Sequence, residues 1–341
     1  MTIAATAGGS AGATRPSLGT PLAVLAAVLL VVYPLVATPF FTFQVGAYSL
    51  ILGTIALSLT FLAGYGGMVS LAQMSVAGCA GYAVAILGHN SLGSGHDWPW
   101  WLLVPTATLL AALFATIAGL LAVRTAGIYT IMITLAIGMA FFLLTQQNYA
   151  IFNGHSGLAG IVPPVTFGLD WRSPVPFYYL TLVVAAACYA AVLYVSRAPL
   201  GLSLQAIRDN PRRMRPLGFH IAAHRVAAYA LAGVIAGLGG VLLVWFDGRI
   251  SPGTIAVGRL INILVIAVIG GMRHPAGAFL GAVFFVLVNT FAIDLTGAER
   301  FNTMIGLVFL AVVLFSPDGL LGLFDKARRA IAVTGNGSNL P

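Results

Sequence analysis

The charged side chains of this 341-residue sequence are few, and the densest group of them lies between Arg197 and Arg225. Only 7% of the residues are charged, and apolar runs of about twenty residues flank this segment on both sides. Its apolar residues recur at near-helical spacing, and they are Leu202, Leu204, Ile207 and, beyond Pro211, Met214. We therefore predict a short amphipathic helix on a membrane surface, where ionic and apolar contacts could dock another protein.

Side chains able to catalyse a reaction or bind a metal do not converge in this sequence. His220 and His224 stand four residues apart, but no third ligand is evident, so we predict no metal site. Cys79 and Cys188 fall in apolar runs, where cysteine behaves as a small apolar residue. Since no nucleophile has a base at recognisable spacing, we predict no catalytic residue and no enzymatic activity.

The sequence also lacks groups that would energise transport. Lys326 is the only lysine and no G-x-x-x-x-G-K-[ST] motif occurs, so the chain should not hydrolyse ATP itself. All eight acidic residues fall in loops or at the ends of apolar runs, which argues against a pump or an ion-coupled carrier. Energy for transport would then come from a partner protein.

The composition identifies the elements that carry these residues. With 60% hydrophobic residues and a mean hydropathy of +0.99, the chain is predicted to be an all-α polytopic membrane protein of nine to ten spans. The apolar runs are Pro21–Ala37, Gly46–Leu62, Met68–Leu87, Trp100–Val123, Ala126–Thr145, Phe177–Ser196, Val226–Phe246, Val257–Gly271, Ala276–Ile293 and Phe301–Phe315.

The distribution of basic residues predicts the orientation. If the spans alternate with the N-terminus inside, the inner segments hold twelve of the 16 Lys and Arg residues and the outer segments four. Both termini are then cytoplasmic, and topology explains the net charge of +8 without nucleic acid. The predicted organisation is a disordered tail (1–20), one transmembrane domain (21–317) with the loop 197–225 between its sixth and seventh spans, and a cytoplasmic tail (318–341).

Glycine pairs and a few polar residues within the apolar runs are candidates for a solute path. Val257–Gly271 is short for a span and ends at a Gly-Gly pair, which suggests a half-helix, and Gly-Gly-Met occurs both here and after the second run. Close helix packing and hydrogen bonds between helices are the alternative roles for such residues. The path candidates are Gly66, Gly67, Gln73, Thr134, Asn262, Gly270 and Gly271.

A glycine-rich loop on the predicted outer side contains Asn153, Gly154, Ser156 and Gly157. A loop of this kind could gate the path or dock an extracytoplasmic protein, and a plain connector is the alternative.

Four sequence blocks, in order, carry a family resemblance. They are Gly64–Gln73, Arg124–Tyr129 with Gly154–Ile161, Ser196–Gly218, and Ile250–Pro252 with Val268–Gly281. In these blocks the chain resembles the membrane permease subunits of branched-chain amino acid ABC importers, of the LivM type.

The resemblance implies a translocation pore made with a second, related permease, driven by two cytoplasmic ATPases and fed by an external solute-binding protein. The chain would need no cofactor, because ATP is bound by the partners, and it would lie in a bacterial plasma membrane, the inner one in a Gram-negative cell. The charged loop would be the coupling helix, with Arg208 and Asp209 as polar contacts and Ile207 and Leu217 as apolar anchors; an ordinary solvated loop is the alternative. The implied ATPase-coupling residues are Leu204, Ala206, Ile207, Arg208, Asp209, Asn210, Arg212, Leu217 and Gly218.

The resemblance leaves several substrates open. The chain has Ala72-Gln73 and Gly138-Met139 where branched-chain amino acid members often differ. A branched-chain or other amino acid is expected first, with urea, short amides and aromatic acids as alternatives. A self-contained secondary transporter or channel is the alternative function, and a membrane-embedded enzyme would need a cluster of reactive groups that the sequence does not show.

Overall fold

The computed structural model describes residues 19–90, 95–125, 127–164, 171–296, 306, 307, 310 and 319–322. Within them the helices are α1 (Gly19–Val36), α2 (Tyr48–Gly66), α3 (Gln73–Leu87), α4 (Trp100–Ala122), α5 (Ile128–Gln147), α6 (Tyr149–Phe152), α7 (Pro174–Arg197), α8 (Pro199–Asp209), α9 (Pro211–Met214), α10 (Ile221–Asp247), α11 (Val257–Gly270) and α12 (Pro275–Thr296). A π-helical turn, Phe41–Ala47, runs directly into α2. Two short strands, β1 (Leu158–Ala159) and β2 (Arg249–Ile250), form an antiparallel ribbon.

Apolar helices make up most of this architecture, which confirms an all-α polytopic membrane protein. Each of the first nine apolar runs forms or contains a helix, whereas most of 301–315 and the segments 1–18 and 323–341 lie outside the described residues. Five helices in the described ranges are long and apolar enough to cross a membrane, and they are Phe41–Gly66, Trp100–Ala122, Ile128–Gln147, Pro174–Arg197 and Ile221–Asp247.

The helices run back and forth between two ends of the bundle. At one end, here called the α8 end, the side chain of Arg208 in α8 meets the backbone of Gly64 in the last turn of α2. At the other, the ribbon end, Leu158 of β1 pairs with Ile250 just after α10. Because α10 starts beyond α9 and finishes beside the ribbon, its 27 residues traverse the bundle, a length of about 40 Å.

Small residues let α10 pack closely at the centre of the bundle. A Cβ atom at Gly240 would lie 2.0 Å from the carbonyl oxygen of Ala77 in α3, and one at Gly233 would lie 2.5 Å from Ala115 in α4. Without a hydrophobic force between helices in lipid, such backbone approach supplies the van der Waals contact that holds spans together.

The helix pair α11 and α12 is sharply bent, as the Gly-Gly pair predicts. Gly271 has a φ of 100°, and the axes of the two helices differ by 115°. Gly270 packs on the backbone of Gly277, since a Cβ there would lie 1.8 Å from the carbonyl oxygen. Arg259 near the start of α11 and Asn289 near the end of α12 line one cavity, so the pair leaves the ribbon end and returns to it.

The connection between α2 and α3 is longer than the sequence predicted. The apolar run Met68–Leu87 was predicted to be one span, but α3 starts only at Gln73 and has 15 residues, about 22 Å. The reason is local, because Gly67 adopts a left-handed conformation with a φ of 64° and ends α2. Residues 68–72 then form an irregular connection.

Candidate functional site

The helix α8 is amphipathic and rests on the membrane domain through its apolar face. Pro199 opens it at the first turn, where a missing N–H costs nothing. The side chains of Leu204 and Ile207 have no exposed surface. Asn210 then separates α8 from α9, and its side-chain Oδ1 accepts a hydrogen bond of 3.2 Å from the backbone N–H of Arg213. The predicted amphipathic helix is therefore present, as two helices with a capped turn between them.

The opposite face of this segment is charged and exposed. The side chain of Asp209 is 66% exposed, and it accepts a 2.9 Å hydrogen bond from Nε of Arg208. Arg212 and Leu217 are also exposed. Gly218 has a φ of 86° with open space around it, so it turns the chain toward α10.

Arg208 also connects α8 to α2. Its Nη1 donates a hydrogen bond to the carbonyl oxygen of Gly64, one of the last carbonyls of α2 that has no partner within the helix. Its aliphatic stem lies against Gly67, where a Cβ atom would come 2.6 Å from Cγ of Arg208. A cation at a helix C-terminus is electrostatically favourable, so this contact holds α8 at the end of α2.

The structure differs from the sequence prediction on the surface that α8 offers to a partner. Ile207 and Leu204 are buried against this chain, so in this conformation they cannot touch another protein. Leu202, predicted on the apolar face, is 58% exposed. Ala206 is half-buried. Periodicity identified the helix. The face that packs on the bundle depends on the direction in which α8 leaves the end of α7.

The two Gly-Gly-Met breaks meet at the α8 end. A Cβ atom at Gly64 would lie 2.4 Å from the carbonyl oxygen of Met272, which places the end of α2 directly against the turn between α11 and α12. Gly319 also approaches Gly271, with 2.5 Å between a Cβ there and the Cα of Gly271. Gly66 and Gly67 therefore belong to the same region as Gly270 and Gly271.

Gln73 and Thr134 each make a contact with a separate segment of the chain. Thr134 Oγ1 accepts a 3.0 Å hydrogen bond from the backbone N–H of Leu71, in the irregular connection before α3. Gln73 Oε1 accepts one of 3.0 Å from the hydroxyl of Ser58, while its Nε2 is buried without a partner among the described residues. Asn262 is half-buried on α11, apart from these two. Thr134 thus stabilises the break itself.

The glycine-rich loop lies at the ribbon end. Asn153 has a left-handed backbone, and its Nδ2 donates a 2.8 Å hydrogen bond to the carbonyl oxygen of Gly157. A Cβ atom at Gly157 would lie 2.1 Å from the carbonyl oxygen of Ile250, so the loop is in contact with the segment after α10. Gly154 packs under the ring of Tyr149, and Ser156 is exposed beside it.

A polar cavity at the ribbon end was missed by the sequence analysis. Arg259 Nη1 donates a 3.3 Å hydrogen bond to the hydroxyl of Tyr48, and both side chains line the cavity together with Asp247. It has two lobes, of about 320 and 390 Å³, that share these three residues. The only signal in the sequence was that opposite charges stand at the ends of two successive apolar runs.

A metal site is not found in the part of the chain that the structure describes. No three His, Cys, Asp or Glu side chains there are close enough to hold an ion. His224 instead directs Nδ1 at the backbone carbonyl of His220, at 2.9 Å, within the first turn of α10.

Known proteins of similar sequence are transporter permeases. A family model described as "Branched-chain amino acid transport system / permease component" matches residues 41–315. The chain is 25% identical to the high-affinity branched-chain amino acid transport system permease protein LivM of Escherichia coli, over 84% of this chain and 72% of LivM.

Other relatives carry different names. The chain is 25% identical to a probable branched-chain amino acid transport permease protein LivH of Methanocaldococcus jannaschii, over 86% of each chain. It is also 25% identical to the nucleoside ABC transporter permease protein NupC of Lactococcus lactis, over 67% of this chain and 74% of NupC. No solved structure matches the chain.

The family model covers most of the chain, including both helix breaks and α8. Its members are membrane permease subunits of transporters and not enzymes. The chain belongs to the family of permease components of branched-chain amino acid transport systems.

Proposed function

We propose that this protein is the permease subunit of an ABC importer and forms the path of a small polar solute, a branched-chain or other amino acid in the first instance. The observation that carries the proposal is the segment formed by α8 and α9: Leu204 and Ile207 of α8 are buried on the membrane domain, while Asp209 of α8 and Arg212 of α9 are exposed. A helix that is attached by such contacts can transmit a movement of a bound partner to the spans on which it packs.

The contacts of α8 suggest which helices would move with it. Arg208 joins α8 to the end of α2, and Gly64 at that end touches the turn between α11 and α12. Movement of α8 would therefore act on both broken helices at once, and broken helices are common at the transport sites of membrane carriers. The path candidates Gly66, Gly67, Gly270 and Gly271 lie in this region. Gln73 and Thr134 support the α2–α3 connection, and Asn262 lies along α11.

The partners follow from this assignment. Two cytoplasmic ATPases would bind the α8 end and supply all the ATP chemistry, so the chain itself would hold no cofactor. A second, related permease would complete the pore, and an extracytoplasmic solute-binding protein would dock at the ribbon end, near Asn153, Gly154, Ser156 and Gly157. The assembly would lie in a bacterial plasma membrane, with the α8 end facing the cytoplasm because the basic residues favour that side.

The ATPase contact can be tested with exposed charges that make no direct contact with α2. Arg208 bonds to Gly64, so the test changes its exposed neighbours, in the double variant Asp209→Arg/Arg212→Glu. Asp97→Arg, 69% exposed at the ribbon end, is the matched charge-reversal control. We expect a P-loop ATPase to co-purify with the chain from detergent extracts of its native host, and its yield to fall at least about tenfold in the double variant, since several interface contacts reverse sign.

The measurement is mass spectrometry of the purified complexes, followed by uptake in proteoliposomes. ATP-dependent uptake that needs the ATPase would support the importer. Absence of any ATPase, together with solute movement by the purified chain alone, would support a self-contained carrier instead.

A further inference from the structure

The ribbon-end cavity is lined by three charged side chains, Asp247, Arg249 and Arg259, and no ion pair within 4.0 Å joins the acid to either arginine. Asp247 ends α10, Arg259 lies in the first turn of α11, and both are exposed within the cavity. Among the described residues, no cationic nitrogen lies within 4.0 Å of the Asp247 carboxylate. The polar side-chain contact of Arg259 is the Tyr48 hydroxyl, an uncharged partner.

Asp247 and Arg259 line both lobes, whereas Arg249 lines only one, and without an ion pair these groups leave hydrogen-bonding capacity unused. A carboxylate accepts several donors, and a guanidinium offers a planar fork that fits a carboxylate with two parallel hydrogen bonds. A ligand that carries one positive and one negative group could bind Asp247 and Arg259 at the same time. Tyr48 would hold the guanidinium in position for it.

The rest of the cavity suits a small molecule with an apolar part. Met74 and Leu243 line one lobe, and Phe246 and Val286 line the other. Each lobe, at about 320 and 390 Å³, is at the lower end of the range for small-molecule sites.

We propose that this cavity binds a small zwitterion, with its ammonium group on Asp247 and its carboxylate on Arg259, and that an apolar side chain enters one of the lobes. As an entry site for the imported solute it rests on the proposed function, because it lies at the end opposite α8. The binding itself can be measured on this chain alone.

The test uses the full chain in lipid nanodiscs with a reporter thiol in the cavity. Thr254 lines the cavity and is half-buried, so Thr254→Cys can be labelled with a charged maleimide. Ser251→Cys on the same wall is a second reporter should the first variant fold poorly. The unsubstituted chain gives the background from Cys79 and Cys188. The probes are leucine, 4-methylpentanoate, which lacks the ammonium group, and 3-methylbutylamine, which lacks the carboxylate.

We expect leucine to slow the labelling, and each single-charge analogue to need at least about a tenfold higher concentration, since each loses one charge-assisted contact. Asp247→Asn should remove the preference for leucine over 4-methylpentanoate. Arg259→Gln should remove the preference over 3-methylbutylamine. Asp97→Asn, an acid at the same end but outside the cavity, should leave both preferences unchanged.

Equal protection by the three probes would overturn the proposal, as would failure of leucine to slow labelling or survival of both preferences in the Asp247 and Arg259 variants. None of these results tests the importer assignment, because that assignment is tested by the co-purification of an ATPase. If the cavity discriminates among the probes as expected but the chain recruits no ATPase, the zwitterion site is supported and the importer assignment is wrong.

Discussion

Arg208 donates a hydrogen bond from Nη1 to the carbonyl oxygen of Gly64, joining α8 to the last turn of α2 across 144 positions of sequence. Through this contact one arginine has two roles. It donates a hydrogen bond to a carbonyl that has no partner within its helix, and it attaches a charged surface helix to the place where α2, α11 and α12 meet.

Arg208→Ala should therefore destabilise the protein by about 1 kcal/mol, because the arginine side chain is 40% exposed and water can replace part of the lost hydrogen bond. Arg208→Lys should recover part of this, because its ammonium can reach a carbonyl without the second guanidinium contact. Thermal unfolding in detergent measures both. Arg212→Ala, exposed on the neighbouring turn, is the control, and an equal loss there would contradict the assignment.

Gly67→Ala tests the packing beneath the same side chain. Its left-handed backbone and the 2.6 Å approach to Cγ of Arg208 both oppose a methyl group. Gly218→Ala shares the positive φ, at 86°, but meets open space. We expect Gly218→Ala to cost about 1 kcal/mol for the backbone alone and Gly67→Ala to cost more than that. Equal unfolding midpoints for the two variants would show that the contact between Gly67 and Arg208 does not contribute to stability.

Gly270→Ala should disrupt the crossing of α11 and α12. The new methyl would fall 1.8 Å from the carbonyl oxygen of Gly277, a backbone atom that cannot move aside, so we expect a loss of about 3 kcal/mol. Gly258→Ala on the same helix meets nothing within 4 Å and should be neutral or stabilising by up to about 1 kcal/mol. Folded yield on size-exclusion chromatography and thermal unfolding give the comparison.

Thr134→Val should leave the backbone N–H of Leu71 buried without an acceptor, at a cost of about 1–3 kcal/mol. Thr134→Ser keeps the oxygen and should be close to unchanged. Thr116→Val, which removes only a bond of 2.6 Å to a carbonyl of its own helix, is the matched control. If Thr134→Val and Thr116→Val unfold alike, the α2–α3 connection does not depend on this hydrogen bond.

Much of the local structure could be read from the sequence. Apolar runs long enough to cross lipid gave helices because the backbone must satisfy its hydrogen bonds internally there, and the Gly270-Gly271 pair ended α11 because glycine tolerates the required φ. Periodicity also identified α8, although the exposure of Leu202 shows that the burial of a face depends on its neighbours.

The sequence by itself determined the class of the protein, the charged segment and the main breaks, since hydropathy, charge and glycine act over a few neighbouring residues. Only the tertiary structure decided that Arg208 binds Gly64, that Gly64 touches Met272, and that Tyr48 and Arg259, 211 positions apart, share a cavity with Asp247. Such pairings depend on how the helices cross, and a crossing is set by the packing of all the side chains and small residues between them, which no local pattern encodes.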